Sequence, residues 1–355
     1  MKLFSFIASR YKLIFLIFFC CTLFYETGAQ NPPREISATS FTCIVNQIPL
    51  KLNYFSSPAL DLSDKKINRL VIVIHGNSRN PYTYHQNMKI AAAKAKATDR
   101  TLIMTPGLVM ERDFNGNEDL LTEDHIFWTS NGWKQGDTSI MHSTQHPREA
   151  QISSFEIMDS LILRILSSGH FPNIRHIIVA GNSAGGQYVN RYCAGNLIHD
   201  KVKKLYGIEI KYLVAAPSTY TYLTPERPVL NTPGRFSIPA DTSCNAGYDI
   251  YKYGLVGFNE YMNRTGADRY KSQLADRKVA YFVGALDNDP NDSSMDRTCP
   301  ALLQGLQRRE RAVLFMDYLQ HIYGKRWKLT IVEGSAHDHA KMFASKEGMK
   351  WIFKS

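Results

Sequence analysis

The chain has 355 residues, of which 44% are hydrophobic and 21% are charged. These proportions are typical of a globular protein and exclude a disordered chain. The net charge of +10 comes from scattered residues and from two short basic clusters, Lys201–Lys204 and Arg308–Arg311. A solvated basic face is the simpler interpretation of these clusters, and attraction for anionic polymers or envelopes is the alternative. No nucleic-acid-binding module is predicted.

The N-terminal segment predicts a secretory signal peptide. Basic residues precede an apolar run, Leu13–Tyr25, and the small residues Thr27–Ala29 offer a cleavage site before Gln30. The run is short for a membrane span, which favours cleavage over an N-terminal anchor. We therefore expect residues 1–29 to be removed. The mature chain, residues 30–355, is then secreted or periplasmic, with no membrane association.

Four cysteines remain in that mature chain: Cys43, Cys193, Cys244 and Cys299. An even number in an exported protein predicts two disulfides, for which three pairings are possible. Cys244 and Cys299 lie in loop-like sequence and are the favoured pair, whereas Cys193 could instead be a buried free thiol. The chain has no C-x-x-C motif and no compact Cys/His cluster, so we predict no metal site.

Strand and helix patterns alternate along the chain. Apolar runs predict strands at 40–45, 48–55, 70–74, 101–105, 177–180, 208–216, 279–283 and 329–332, and helical patterns are found at 88–97, 152–167, 300–322 and from about 340. Continuous apolar runs are typical of strands buried on both faces of a parallel sheet. The alternation predicts an α/β fold with a doubly wound, mostly parallel sheet and helices on both faces.

Two long segments interrupt this alternation. Residues 107–147 are rich in Gly, Asp, Asn and Trp, and predict a long excursion near the top of the sheet. In it, Trp128 and Trp133 either line a substrate cleft or pin the loop down. Residues 218–278 hold many tyrosines, prolines and glycines and are too long for an ordinary connection. We interpret this second segment as a cap over the catalytic edge.

The sequence Gly181-Asn182-Ser183-Ala184-Gly185 joins a buried strand to a helix. G-x-S-x-G in this context is typical of a nucleophilic serine on a sharp turn, where neighbouring chain passes too close for larger side chains. The turn raises the Ser183 hydroxyl and aims the Ala184 amide at the oxygen that becomes negative during attack. The alternative is a glycine-rich connection with a serine helix cap, which predicts no catalytic partners downstream.

A serine nucleophile needs a base and an orienting acid, in the order Ser, Asp, His in this kind of sheet. Asp287 follows the predicted strand at 279–283, with Asp289 and Asp292 close enough to compete for the role. This acidic loop is alternatively turn chemistry alone. His337 follows the last strand and is the predicted base, with His339 as the alternative. Metal binding by residues 337–339 is a weaker interpretation, because no distant ligand accompanies them.

The oxyanion hole needs a second donor besides Ala184. The loop after the strand at 70–74 should supply it, and the backbone amide of Asn77 is the candidate. His75 and Gly76 shape that turn, and we interpret His75 as structural.

With these residues placed, the chain resembles the α/β-hydrolase superfamily over residues 40–355. The motifs that carry the resemblance are His75-Gly76, the pentapeptide at 181–185, Gly-Ala-Leu-Asp at 284–287 and Gly-Ser-Ala-His at 334–337. The resemblance implies a doubly wound sheet, an acyl-enzyme mechanism and no cofactor. It does not imply a substrate, because the fold hosts many activities.

We therefore expect an exported serine hydrolase that cleaves a carboxylic ester of a small-molecule or polymeric acyl substrate. A serine peptidase of the same fold is one alternative. A non-catalytic binding protein that kept the fold is the other. Polymer degradation is a variant of the first expectation, and its only hint is the pair Trp128 and Trp133 if they are exposed.

Overall fold

The computed structural model describes residues 35–240 and 247–354, which belong to one compact unit, Arg34–Ser355. The strands are β1 Ser40–Val45, β2 Ile48–Ser57, β3 Arg69–Ile74, β4 Thr101–Pro106, β5 His176–Asn182, β6 Ile210–Ala215, β7 Arg227–Pro228, β8 Phe236–Ser237, β9 Lys278–Gly284 and β10 Lys328–Val332. The helices are α1 Pro81–Lys94, α2 Ser154–Ser167, α3 Ala184–Gly195, α4 His199–Tyr206, α5 Glu260–Thr265, α6 Ala267–Asp276, α7 Cys299–Leu302, α8 Arg308–Tyr323, α9 His339–Ala344 and α10 Lys346–Phe353. None of the helices in these two ranges is long and apolar enough to cross a membrane.

Eight of the strands form one sheet in the order β1-β2-β4-β3-β5-β6-β9-β10. β1 and β2 pair antiparallel, β2 joins β4 antiparallel, and every pair from β4 to β10 is parallel. The prediction of a doubly wound, mostly parallel sheet is confirmed. The order reverses at β3, which lies between β4 and β5. Ligand sites of open α/β sheets lie beyond the carboxyl ends of the strands at such a reversal.

The strand register places the predicted catalytic segments along one edge. Ile74 is opposite Gly181, Asn182 is opposite Ala215, and Val332 is opposite Gly284. The loops that follow β3, β5, β9 and β10 therefore leave the sheet on the same side. Every residue of β3 and β4 is buried, as expected for strands covered on both faces.

Two helix predictions need correction. α1 begins at Pro81, seven residues before the predicted start at 88, because a proline fits the first turn of a helix. The helix predicted from Pro300 to Ile322 is two helices, α7 and α8. The chain between them bends at Gly305, where φ is +123°. Gln307 then caps α8 by accepting a hydrogen bond from the Glu310 amide.

The two loop tryptophans do not line a cleft. Trp128 and Trp133 are both 0% exposed. The Trp128 indole donates to the Asp137 carbonyl at 3.1 Å, and the Trp133 ring lies 4.9 Å from the His75 ring. Both residues therefore pin the loop, and the hint of polymer degradation that depended on their exposure is lost.

The basic cluster at 308–311 is not a solvated face. Arg308 and Arg311 are 1% and 0% exposed. The sequence pattern could not separate a surface cluster from buried guanidinium groups that hold loops together, because both need the same residue types.

The cysteine prediction is partly wrong. Cys43 and Cys193 carry free thiols, so these two do not form a second disulfide. Cys193 is buried, and desolvation raises the pKa of its thiol to about 12. The predicted partners Cys244 and Cys299 stay a prediction, since Cys244 lies outside the described residues. The predicted signal peptide, residues 1–29, also lies outside them.

The segment predicted as a cap supplies side chains to the core. Tyr220 stacks on Phe315 with ring centroids 4.3 Å apart, and Tyr222 lies 4.5 Å from Tyr318. The last part of the segment, α6, packs against α3, where the Gln273 amide donates to the Ala194 carbonyl at 2.6 Å. Its role as a cap stays a prediction.

Candidate active site

Ser183 sits in a backbone conformation that few residues adopt, with φ 60° and ψ −120°. Its amide donates to the Ala215 carbonyl at 3.0 Å, and its own carbonyl accepts from the Gln187 amide at 3.0 Å, which begins α3. A positive φ at a non-glycine residue costs about 1–3 kcal/mol and persists only where surrounding structure enforces it. The strand and the helix on either side enforce it here.

The glycines of the elbow are required by close backbone contacts. A Cβ atom at Gly181 would lie within 3.0 Å of the Gly185 carbonyl. One at Gly185 would meet the Ile74 and His75 carbonyls, and one at Gly186 would meet the Ala215 carbonyl, at similarly short range. Real Cβ atoms do not approach this closely. The start of α3 therefore sits directly against the ends of β3 and β6.

His337 and Asp287 form a hydrogen-bonded pair. The Nδ1 of His337 donates to Oδ2 of Asp287 at 2.7 Å, and the carboxylate side chain is only 4% exposed. Because a carboxylate only accepts, the proton of the neutral imidazole is on Nδ1, which leaves Nε2 as an acceptor. Nε2 is buried and has no hydrogen-bond partner among the described residues. The described residues therefore include the His337–Asp287 hydrogen bond but none from the Ser183 hydroxyl to His337 Nε2.

Arg308 holds the other oxygen of this carboxylate, and sequence reasoning missed it. Its Nη1 lies 3.2 Å from Asp287 Oδ1 and 2.8 Å from Asp292 Oδ2, and its Nη2 donates to Ser294 at 2.7 Å. Burial raises the pKa of Asp292, but hydrogen bonds from Ser294 and Arg308 outweigh it and lower that pKa below its usual range. The only sequence signal was the basic cluster itself.

The two competing acids have other roles. Asp292 belongs to the Arg308 network. Asp289 is exposed, and its Oδ1 accepts a hydrogen bond from the Asn291 amide at 2.8 Å, which is turn chemistry. Of the three candidates, only Asp287 contacts His337.

His339 is held away from the acid. Its ring stacks on Tyr84 with centroids 3.8 Å apart and planes 2° from parallel, and its Nε2 lies 2.9 Å from the Asn87 amide nitrogen. Burial lowers the pKa of His339 to about 4. The Tyr84 hydroxyl also sits under Gly76, so this side chain connects the loop after β3 to the start of α9. Tyr84 was missed because α1 was predicted to begin after it.

The predicted oxyanion donors lie on adjoining segments. Ala184 begins α3, and the contact of Gly185 with the Ile74 and His75 carbonyls brings that helix against the loop that holds Asn77. His75 is fully buried. Its Nε2 accepts from the Leu108 amide at 3.0 Å, and its Nδ1 donates to the Gly76 carbonyl at 2.9 Å. Desolvation lowers the pKa of His75 to about 4. With both ring nitrogens occupied, His75 shapes the turn.

A buried lysine that sequence reasoning did not single out contacts this loop. Lys134 is 9% exposed, and its Nζ donates to the side-chain oxygen of Asn77 at 3.3 Å. Desolvation, and then the charges of Lys252 and Arg191, lower the pKa of Lys134 to about 7. Nothing in the loop sequence WTSNGWKQGD distinguishes this lysine from an exposed one.

Comparison with known proteins finds no matching family model and no matching curated protein. Solved structures do match. Poly(aspartic acid) hydrolase-1 from Sphingomonas sp. KT-1 is 23% identical, with 89% of this chain and 99% of that chain covered and a TM-score of 0.56. The poly(3-hydroxybutyrate) depolymerase LpqC from Bordetella parapertussis is 18% identical, with 88% and 89% covered and a TM-score of 0.53. At these identities the likeness establishes the fold.

Proposed function

We propose, from the premise that this chain has the α/β-hydrolase fold, that it is an exported serine hydrolase that cleaves a carboxylic ester. Ser183 is the nucleophile, His337 is the general base and Asp287 orients the imidazole. The observation that carries the proposal is the 2.7 Å hydrogen bond from His337 Nδ1 to Asp287, which orients the imidazole with Nε2 as the nitrogen that can accept a proton. The proposed transfer also needs the Ser183 hydroxyl to approach Nε2, because the described part of the chain has no hydrogen bond between them.

The proposed acylation step moves one proton and forms one bond. As Ser183 Oγ attacks the ester carbonyl carbon, His337 Nε2 takes the hydroxyl proton. Asp287, itself held by Arg308, stabilises the imidazolium that results. The negative charge that develops on the carbonyl oxygen accepts hydrogen bonds from the backbone amides of Asn77 and Ala184. The imidazolium then donates its proton to the departing alkoxide, and the acyl-enzyme remains.

Water completes the proposed cycle. His337 removes a proton from a water molecule as that water attacks the acyl-enzyme carbonyl, and then returns the proton to Ser183 as the acid leaves. Water is the one co-reactant in the two proposed steps.

The substrate class is less constrained than the reaction. The two neighbours are a poly(aspartic acid) hydrolase and a poly(3-hydroxybutyrate) depolymerase. A polymeric acyl substrate therefore stands beside a small ester in this proposal. A peptidase of the same fold would instead prefer peptides to acyl esters with matched side chains, so paired ester and peptide substrates separate the two.

Labelling with a fluorophosphonate probe tests the proposal. We expect the folded protein to react at one serine, Ser183→Ala to abolish labelling, and His337→Ala to slow ester hydrolysis by about 10⁴-fold or more. Asp287→Asn should slow it by about 10²–10⁴-fold. The matched control is Asp289→Asn, the same change on an exposed turn of the same loop, with activity retained.

Either of two results would contradict the proposal. A folded wild-type protein that does not react with the probe points to a non-catalytic binding protein. Labelling that survives Ser183→Ala places the nucleophile elsewhere in the chain.

A further inference from the structure

Two buried cations near the elbow lack an acidic partner. Arg191, on α3 two turns beyond Ser183, is 0% exposed, and Lys134 is 9% exposed. Neither has a carboxylate oxygen within 4.0 Å among residues 35–240 and 247–354. An ammonium or guanidinium group removed from water without a counter-charge costs several kcal/mol, so such groups are rare unless they meet an anion.

Neighbouring cations are already paired. Lys252 Nζ lies 3.1 Å from Asp296 Oδ2, and Arg79 Nη2 lies 2.9 Å from Asp113 Oδ1. These two carboxylates therefore balance these two cations, and the charges of Lys134 and Arg191 remain in excess. Desolvation and the charges of Lys252, Arg191 and Arg79 lower the pKa of Lys134, which the charge of Asp296 only partly offsets.

The contacts of Arg191 are those of a positioning residue. Its Nη1 donates to the Lys134 carbonyl at 3.1 Å, and its Nη2 contacts Gln187 and Thr219 at 3.3 and 3.2 Å. Its Nε has no hydrogen-bond partner in the described ranges. Arg191 thus ties the loop of Lys134 to the helix that begins at the elbow.

Lys134 reaches the predicted oxyanion loop. Within the described ranges its one side-chain hydrogen bond, at 3.3 Å, goes to the amide oxygen of Asn77, an exposed residue. The ammonium also lies 6.0 Å from the centroid of the Trp133 ring. An ammonium group has three protons to donate, so one long bond to a neutral acceptor leaves most of its capacity unused. The charge is therefore next to the position where the scissile carbonyl would be held.

We propose that Lys134 binds a carboxylate group of the substrate, so that the enzyme is selective for esters that carry a negative charge close to the scissile bond. This inference rests on the proposed ester hydrolysis. The substrate carboxylate supplies the counter-charge that the protein lacks, and it forms a charge-assisted hydrogen bond with the ammonium.

Three esters test the selectivity. Mono-4-nitrophenyl adipate carries a carboxylate on the acyl side, 3-carboxy-4-nitrophenyl hexanoate carries one on the alcohol side, and 4-nitrophenyl hexanoate carries none. We expect wild type to have a kcat/KM about tenfold or more higher for one of the anionic esters than for the neutral one. Lys134→Met should lower that ratio by about tenfold or more, and Lys134→Arg should retain much of it.

The ratio separates substrate binding from a structural role. If Lys134 only supports Asn77, Lys134→Met slows all three esters alike and the ratio stays constant, which overturns the inference. The matched control is Lys203→Met, which removes the same charge from an exposed helix side chain that is 61% accessible. The control should leave the ratio at its wild-type value.

A binding measurement keeps this inference separable from the proposed function. Monomethyl adipate is added to Ser183→Ala and to the double variant Ser183→Ala/Lys134→Met, and the melting temperature is recorded. Stabilisation of the first protein alone supports the carboxylate site even if fluorophosphonate labelling fails. Equal shifts, or none, with labelling intact overturn the carboxylate site and leave the hydrolase proposal standing.

Discussion

At the scale of single residues, the candidate site depends on a buried carboxylate, Asp287, that is held by Arg308 and by His337. Arg308 and Asp287 are 1% and 4% exposed at their side chains. Two buried ions gain little net stability from each other, but removal of one leaves the other unpaired in a low-dielectric environment. The guanidinium therefore matters mainly because it fixes the carboxylate that in turn fixes His337.

We expect Arg308→Met to lower kcat by about 10–10³-fold and to lower the free energy of unfolding by about 3–5 kcal/mol. The reason is that the substitution removes the cation that pairs with Asp287 and Asp292. Arg308→Lys keeps the positive charge but cannot reach several acceptors at once as the planar guanidinium does, so its losses of kcat and stability should be intermediate. Ester kinetics and urea denaturation measure both effects. Arg235→Met, the same change at an exposed residue of the β7–β8 turn, is the control. Wild-type kinetics in a folded Arg308→Met protein would refute this role.

We expect the burial of Lys134 to lower the stability of the folded protein by an amount that depends on pH. The pKa of Lys134 is lowered from 10.5 in an ordinary environment to about 7 in the folded protein. Burial is the main cause, the charges of Lys252, Arg191 and Arg79 add to it, and the charge of Asp296 partly opposes it. Between these pH values the unfolded chain binds more protons, so wild-type stability from this group rises with pH. The cost is fully present below pH 7.

Lys134→Met should therefore be more stable than wild type at pH 6, by about 1–3 kcal/mol, with the difference shrinking as pH rises to 10. Urea denaturation at pH 6, 8 and 9.5 measures it, with Lys203→Met as the exposed control. A Lys134→Met protein that is less stable than wild type at pH 6 would mean that the ammonium has a stabilising partner, contrary to the excess of charge described above. A gain in stability with a loss of activity is the trade-off common at functional sites.

At the scale of elements, the elbow is held by contacts between strand ends and the first turn of α3. Ser183 is strained, and the three glycines around it leave no room for a methyl group. The cost of the strained turn is offset by the packing of β3, β5 and β6 against α3. A change in the glycines therefore tests the whole junction.

Gly185→Ala should destabilise the protein by about 3 kcal/mol or more, because the added Cβ meets the Ile74 and His75 carbonyls, which are backbone and cannot move aside. Gly169→Ala is the matched control. That glycine has φ +76° and no atom within 4 Å of the added Cβ, so only the backbone cost of about 1 kcal/mol is expected. Denaturant unfolding of both variants measures the difference. Equal costs would show that the contact at Gly185 relaxes easily.

Tertiary contacts also explain two features that the local sequence did not predict. Apolar spacing from 300 to 322 fits one helix, yet the chain turns at Gly305 so that Arg311 can donate to the Gly305 carbonyl at 2.9 Å and to the Ser218 carbonyl. The tyrosines at 220 and 222 had turn-rich neighbours in the sequence but pack on α8. Packing between distant segments overrides local preference in both cases.

At the scale of the whole molecule, the described residues belong to one compact unit that begins at Arg34. Its core residues begin at Ile36. A chain that starts at Gln30 therefore contains every core side chain described.

We expect the chain from Gln30 to unfold at the same denaturant concentration as the full-length protein and to react equally fast with the fluorophosphonate. We also expect exported protein to begin at Gln30, which N-terminal sequencing determines. A lower midpoint for the chain from Gln30 would mean that residues 1–29 contribute to the fold. Recovery of the uncleaved chain in membranes would favour the anchor over the signal peptide.

The sequence by itself determined that the chain forms a sheet whose strands are mostly parallel. Buried strands have continuous apolar runs, and a glycine on each side of Ser183 marks a turn that only small residues permit. Both signals are local in the sequence, so they can be recognised without a structure. It also limited the candidates for the proposed orienting acid to one loop and those for the proposed base to another.

Only the tertiary structure decided which side chains meet. Asp287 and His337 are 50 positions apart, and Asp289 or His339 satisfied the sequence pattern as well. Arg308, Tyr84 and Lys134 entered the site from segments that carry no motif, and Trp128 and Trp133 went into the core instead of a cleft. Contact between distant segments depends on packing and desolvation across the whole fold, and neither leaves a signature in the spacing of residues along the chain.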